Sequence, residues 1–190
     1  MTAITRQLAE FVAGISYDTL PPAVRERVKA LALDLVGIML RARNEAESTP
    51  AMVSAASLLG LAGGACTVIG DAAGYTPPGA AMLNGTLAHS LDFDDTHAPG
   101  SLHASAPIMP AAFAAAEMTG ADGKAVIAAI VAGYEVQIRL SLALDPVAHY
   151  DRGFHPTATC GAFGAAAAAG RLFRLDPEGY ANAFGIVLSM

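Results

Sequence analysis

The sequence predicts an all-α protein built from layered helices, on three observations. Hydrophobic residues make up 54% of the 190-residue chain, and many of them are alanines, which favour helices and allow them to pack closely. Tryptophan is absent and aromatic residues account for only 6%, which disfavours a β-sandwich. Apolar residues recur at spacings of three and four along most of the chain, the period of a helix. Since no repeat or low-complexity linker divides the chain, we expect one domain over residues 1–190.

The first two helices are predicted from apolar spacing and from proline. Apolar residues fall at helical spacing over residues 5–15, and Pro21-Pro22 ends that segment. A second helix is expected over residues 22–43, with apolar residues on nearly every side. Because an unpaired buried carboxylate is costly, Asp34 in this helix is expected to pair with an arginine or a helix end.

Capping residues and glycines set the next boundaries. Ser48 is expected to cap a helix that begins at Thr49-Pro50 and ends within residues 60–64. Residues 65–69 form the only plausible strand. Helices are then predicted over residues 79–91 and 107–118.

The second half of the chain follows the same rules. Asp122 is expected to cap a long helix, and residues 145–155 form a polar loop. A helix over residues 157–172 contains Gly161 and Gly164, which permit close contact with a neighbouring helix. Asp176-Pro177 caps a last helix over residues 180–189.

Charge and composition exclude several classes of function. The net charge is −6, from 17 acidic and 11 basic residues, with no basic run, so a nucleic-acid surface is not expected. No uninterrupted apolar run reaches the roughly 18 residues of a membrane helix, and no signal peptide is evident. Cys66 and Cys160 belong to no CxxC pair, which favours reduced thiols and a cytoplasmic location.

Two histidines and three carboxylates lie within residues 89–97. If the preceding helix continues, His89, Asp92 and Thr96 share one face, and such density is typical of proton-transfer sites. In the alternative interpretation, the acids solvate a turn and His89 is a core histidine. Zinc or manganese ligation by His89, Asp92, Asp94 and His97 is not favoured, because the spacing fits no helical ligand pattern such as HExxH.

Two further histidines stand in loops before predicted helices. His103 precedes Ser105, and His155 follows Arg152, which is suited to clamp a carboxylate. A histidine at a helix start can bind an anion or move a proton near neutral pH. Taken alone, each of them is more typical of an ordinary surface loop.

Several motifs in fixed order resemble the MmgE/PrpD family along nearly the whole chain. They are Asn84-Gly85, AHSLDFDDTH over 88–97, His103-Ala-Ser105, GYE over 133–135 and GFHPTATCGAFGAAAAAGRL over 153–172. The resemblance implies the N-terminal helical domain of that family, without its lid domain. It also implies a cofactor-independent enzyme that acts on small di- or tricarboxylates, as 2-methylcitrate dehydratase, cis-aconitate decarboxylase or iminodisuccinate epimerase do.

The resemblance places Asp92, Thr96, His103 and His155 at site positions. We expect His103 or His155 to transfer the proton and Asp92 to orient a histidine. We expect the residues that contact substrate to be Thr96, His97, Ser105 and Arg152. A hydro-lyase of the 2-methylcitrate dehydratase type is the first hypothesis, with a family decarboxylase or epimerase as alternatives.

Two hypotheses from other classes are a non-catalytic helical association module and a metal-dependent hydrolase.

The family's lysines lie downstream of this region, and neither Lys29 nor Lys124 lies in a matching motif. The 190-residue chain is therefore expected to be inactive alone. It is expected to form a homo-oligomer, such as a homodimer, or to pair with a complementary C-terminal chain.

Overall fold

The structure is a computed structural model that describes residues 3–190, and α-helices contain most of them. The helices are α1 Ala3–Gly14, α2 Pro22–Glu45, α3 Thr49–Leu58, α4 Pro77–His89, α5 Ser105–Thr119, α6 Gly123–Ala143, α7 Pro146–Asp151, α8 Pro156–Leu172 and α9 Pro177–Leu188. Short 3-10 helices lie at Tyr17–Thr19 and Ala98–Gly100. The prediction of an all-α fold is confirmed.

Four short strands form two small antiparallel pairs among the described residues. Strand β1, Ala62–Thr67, pairs with β2, Gly74–Tyr75, and strand β3, Thr96–His97, pairs with β4, Leu102–His103. The predicted strand over residues 65–69 overlaps β1. The expectation that it would be the only strand is wrong, because two-residue strands carry no detectable pattern of their own.

The centre of the domain is the close packing of α5, α6 and α8. A Cβ atom on Gly133 of α6 would lie 2.6 Å from Cγ2 of Ile108 and 2.8 Å from the Gly164 carbonyl oxygen of α8. Only glycine at both positions lets the two backbones approach this closely. The predicted role of Gly164 in helix contact is therefore confirmed. The same packing fixes the start of α8 beside α6.

The expectation that α2 is buried nearly all round is wrong. Leu33 is 77% exposed and Leu40 is 51% exposed, and Asp34 is exposed as well. Asp34 lies in solvent and therefore needs no compensating partner. Helix α2 instead buries one stripe, which includes Val28, Leu35 and Met39.

Two of the three predicted helix caps are present. Asp122 accepts a hydrogen bond from the Ala125 amide at 2.9 Å, and Asp176 accepts one from the Gly179 amide at 2.8 Å. Ser48 makes no capping bond and has helical backbone angles. The polar loop predicted over residues 145–155 contains the short helix α7.

Helix α6 is long and apolar enough to cross a membrane by length and composition alone. Half of that stretch is buried inside the domain, as in the core helix of a globular protein. Charged residues such as Glu135 interrupt the apolar runs of this helix, which is why the sequence predicts no membrane span here.

Candidate active site

Helix α4 ends at His89, and the chain then turns sharply. Asp92 has a φ of 56°, in the left-handed region that aspartate tolerates better than most residues. The hypothesis that His89, Asp92 and Thr96 share the face of one continuous helix is therefore wrong. The turn nevertheless keeps His89 and Asp92 near each other and directs Asp94 inward.

Asp94 lies between two imidazoles, and its side chain is completely buried. His89 Nδ1 lies 3.1 Å from both carboxylate oxygens of Asp94. His103 Nδ1 lies 3.4 Å from Asp94 Oδ1 and 3.2 Å from the Asp94 carbonyl oxygen. Asp94 thus contacts one histidine at the end of α4 and a second one in β4.

His103 is also held from the side of α6 and α8. Its backbone amide donates to Thr157 Oγ1 at 2.9 Å, and its carbonyl accepts from Gln137 Nε2 at 3.1 Å. Its Nε2 lies 3.6 Å from Asp92 Oδ1, and this contact is attractive when the ring is protonated. The ring is consequently fixed by its backbone and flanked by two carboxylates.

His155 comes from the loop before α8 and joins the same cluster. Its ring centroid lies 6.3 Å from that of His89, and the His89 and His103 centroids are 4.8 Å apart. His155 is exposed at the surface, and partial desolvation by its neighbours lowers its pKa; the nearby His89 and His103 lower it further, while Asp92 acts in the opposite direction. The neutral form of His155 is therefore favoured near pH 7.

The predicted substrate contacts divide into two groups. Thr96 and Arg152 are exposed, and Thr96 pairs with His103 across the β3–β4 hairpin. Ser105 is buried, and its hydroxyl forms a hydrogen bond with Tyr134. His97 Nδ1 accepts a hydrogen bond from the Gly100 amide at 3.1 Å, which stabilises the hairpin turn.

A hydrogen-bond network supports the loop from behind. Asp95 accepts from the Ser105 amide at 3.1 Å and from the Tyr134 hydroxyl at 2.9 Å. Burial and the Asp95 charge raise the pKa of Tyr134, so this phenol stays protonated and donates. A cavity of about 470 Å³ between α2 and α6 is lined by Thr96 and His97 together with Asp95 and Tyr134.

Four side chains of the cluster have donor atoms that suit a divalent metal. The ligand atoms of His89, Asp92, Asp94 and His103 lie within 4.8 Å of one another. Asp92 and Asp94 contact different nitrogens of His103, with Asp92 Oδ1 3.6 Å from Nε2 and Asp94 Oδ1 3.4 Å from Nδ1. The observed contacts fit a hydrogen-bonded set of acids and bases.

Sequence reasoning left several members of this cluster outside the predicted site. The sequence indicates His89 as part of a dense acid–base stretch, as a core histidine or as a metal ligand, and it assigns Asp94 no separate role. It does not single out Gln137 or Thr157. The spacing of His89 and Asp94 across the predicted end of α4 was a usable signal. Nothing local in the sequence shows that Gln137 and Thr157 would reach His103.

Fold and site together define a helical domain whose loops gather acid–base groups at one place. Residues 6–190 match the MmgE/PrpD N-terminal domain, and the chain belongs to this family. It is 30% identical to a cis-aconitate decarboxylase of Aspergillus terreus, over 97% of this chain and 38% of that protein. It is also 30% identical to a cis-aconitate decarboxylase of Homo sapiens, over 100% of this chain and 40% of that protein. The chain thus spans about two fifths of the length of these relatives.

Proposed function

We propose that this chain supplies proton-transfer residues to a lyase that acts at a carbon beside a carboxylate of a small di- or tricarboxylate. The observation that carries the proposal is the convergence of His89, His103 and His155 with Asp92 and Asp94. Imidazoles transfer protons near neutral pH without a cofactor. Neither a metal nor an organic cofactor is part of the proposed reaction.

The surroundings of the histidines suggest separate roles. His155, with its lowered pKa, is available as a base near pH 7. His103 is flanked by Asp92 and Asp94, which stabilise the ring once it is protonated, so it serves as the acid. Thr96 and Arg152 are exposed and are proposed to bind substrate carboxylates. We assign Ser105 and His97 to holding the hairpin, since a protein partner occupies the Ser105 hydroxyl and His97 Nδ1.

Decarboxylation of cis-aconitate is the first reaction to test, because several relatives carry that name. In this reaction the bond between the substrate carbon and its carboxylate breaks and CO₂ leaves. The electron pair of the broken bond remains on the substrate carbon. A proton from the acid then forms the new C–H bond, so one proton is consumed per turnover. Dehydration of 2-methylcitrate, which needs a base and an acid, is the second reaction, and epimerisation of iminodisuccinate is the third.

The test measures turnover of all three substrates in the longest polypeptide that the gene encodes. His103→Ala is expected to abolish most turnover of the accepted substrate. His149→Gln serves as the matched control, because His149 contacts Thr159 and Phe154 and lies outside the cluster. Wild-type turnover in His103→Ala would refute the role of His103, and no turnover of any polycarboxylate would refute the proposed function.

Self-association and a cytoplasmic location belong to the same proposal. Exposed apolar side chains occur around α7 and the His155 loop; among them are Leu142, Leu144, Val147, Tyr150 and Phe154. Exposed apolar groups of this kind are typical of association surfaces, which favours a homo-oligomer or a complementary chain. Both thiols are free and buried, as expected in a reducing compartment.

A further inference from the structure

Asp94 contacts two histidines in different ways, one through its side chain and one through its backbone carbonyl. Its carboxylate lies 3.1 Å from His89 Nδ1, and its carbonyl oxygen lies 3.2 Å from His103 Nδ1. An ionised carboxylate and a carbonyl can only accept hydrogen bonds. With Asp94 ionised, both contacts are hydrogen bonds only when each Nδ1 carries the proton.

The proton on Nδ1 determines what the other nitrogen can do. A neutral imidazole with a proton on Nδ1 has a free electron pair on Nε2, which is then the basic nitrogen. For His103 this nitrogen is on the side of Asp92. The His89 side chain is 39% exposed, so solvent reaches it, and its ring lies edge-on to the His103 ring at a centroid distance of 4.8 Å.

We propose that Asp94 is a positioning residue for both imidazoles and that His89, oriented by it, is a further proton-transfer residue. This inference rests on the proposed lyase function. In decarboxylation, where no C–H bond breaks, His89 in its protonated form supplies the proton for the new C–H bond. In dehydration or epimerisation, a C–H bond beside a substrate carboxylate breaks and its electron pair remains on the carbon as an enolate. Nε2 of His89 takes the proton, and the Asp94 carboxylate stabilises the resulting imidazolium at 3.1 Å.

The two contacts of Asp94 respond differently to one substitution. In Asp94→Asn the carbonyl oxygen remains, so His103 keeps the proton on Nδ1. The new side-chain amide can donate to His89 Nδ1 and move the proton of neutral His89 to Nε2. A purely structural role for Asp94 predicts no such selective change.

The first measurement is the tautomer state of each histidine, from the nitrogen chemical shifts of the ¹⁵N-labelled 190-residue chain near neutral pH. Wild type is expected to show a proton on Nδ1 of both His89 and His103, and Asp94→Asn should remove it from Nδ1 of His89 alone. The control is Asp34→Asn, which removes the same charge from an exposed position on α2. A wild-type His89 with its proton on Nε2 would overturn the inference whether or not the enzyme is active.

The second measurement is turnover of the longest encoded polypeptide on the polycarboxylate that it accepts. Asp94→Asn and His89→Gln are expected to lower kcat about 10²–10⁴-fold, the usual contribution of a general acid or base, with a smaller change in KM. Asp94→Glu, which keeps the carboxylate, should recover part of the loss. If Asp94→Asn does not fold, His89→Gln, which alters only a partly exposed ring, still tests whether His89 transfers a proton.

The two proposals fail in different ways. An active enzyme whose kcat is unchanged by His89→Gln would overturn the role of His89 and leave the lyase function intact. Absence of turnover on every polycarboxylate would refute the lyase function, while the nitrogen shifts would still decide what Asp94 does.

Discussion

Substitution of Gly133 by alanine tests how tightly α6 and α8 are packed beneath the site. The new Cβ would lie 2.6 Å from Cγ2 of Ile108 and 2.8 Å from the Gly164 carbonyl oxygen, and the latter contact is with backbone. Overpacking of this kind costs about 1–3 kcal/mol, and the gain in helix propensity offsets about 1 kcal/mol. Since backbone cannot turn away as a side chain can, we expect the free energy of unfolding to fall by about 1–2 kcal/mol.

The matched control is Gly37→Ala in the middle of α2, where an added Cβ meets nothing within 4 Å. This variant gains helix propensity without a clash, so it should be stabilised by about 0.5–1 kcal/mol. Urea unfolding followed by circular dichroism compares the two variants with wild type. Equal stabilisation by both substitutions would refute the close contact between the helices. Because α6 carries Gln137 and α8 carries Thr157, Gly133→Ala should also lower turnover of the longest polypeptide.

Three further predictions concern the site and its support. The pKa of His155 is lower in the folded chain than its usual value of about 6.5. Between these two pH values the unfolded chain binds more protons than the folded chain. The contribution of His155 to stability therefore falls as pH decreases. His155→Gln should flatten the loss of thermal stability between pH values of about 7.5 and 5.5, and an unchanged pH profile would contradict the shift. Tyr134→Phe removes the hydroxyl that donates to Asp95, so urea unfolding should show a free energy of unfolding lower by about 1–3 kcal/mol. Tyr17→Phe, at a tyrosine whose ring packs on Arg25, should leave the free energy of unfolding unchanged. Elemental analysis of the purified protein should find no stoichiometric metal, and one equivalent of zinc or manganese would favour the hydrolase hypothesis.

Helix positions were predictable because they depend on local signals. Apolar spacing and the caps at Asp122 and Asp176 place α6 and α9, and both capping bonds are present. The misplaced features depend on distant neighbours. Whether Leu33 and Leu40 are buried depends on which elements pack against α2, and spacing alone does not reveal this.

The sequence predicted the main residues of the candidate site and their convergence from two loops, but not the local geometry. His103, His155 and Asp92 were named from the sequence, and the structure brings them together through two loops that meet at the start of α8. The left-handed turn at Asp92 replaced the expected helical face, and it makes Asp94 the buried centre of the cluster. Backbone angles of this kind leave little trace in a single sequence, because aspartate is common in both helix ends and turns.

The charge around the imidazole cluster explains why we expect the 190-residue chain to be inactive alone. Asp92 and Asp94 already place two carboxylates there, and a polycarboxylate adds more negative charge as its enolate forms. Among residues 3–190, no arginine or lysine forms an ion pair with either aspartate. Arg41 Cζ lies 5.7 Å from the centroid of the Phe93 ring, next to Asp92 in the sequence, but this arginine is paired with Glu45.

An enolate beside carboxylates needs positive charge or strong donors in the transition state. We therefore expect these groups to come from outside this region, which spans about two fifths of the relatives. Side-by-side turnover assays on the 190-residue chain and on the longest encoded polypeptide measure this directly. Substantial decarboxylase or dehydratase activity in the shorter chain would show that three histidines, Thr96 and Arg152 suffice, and that the balance of charge has been misjudged.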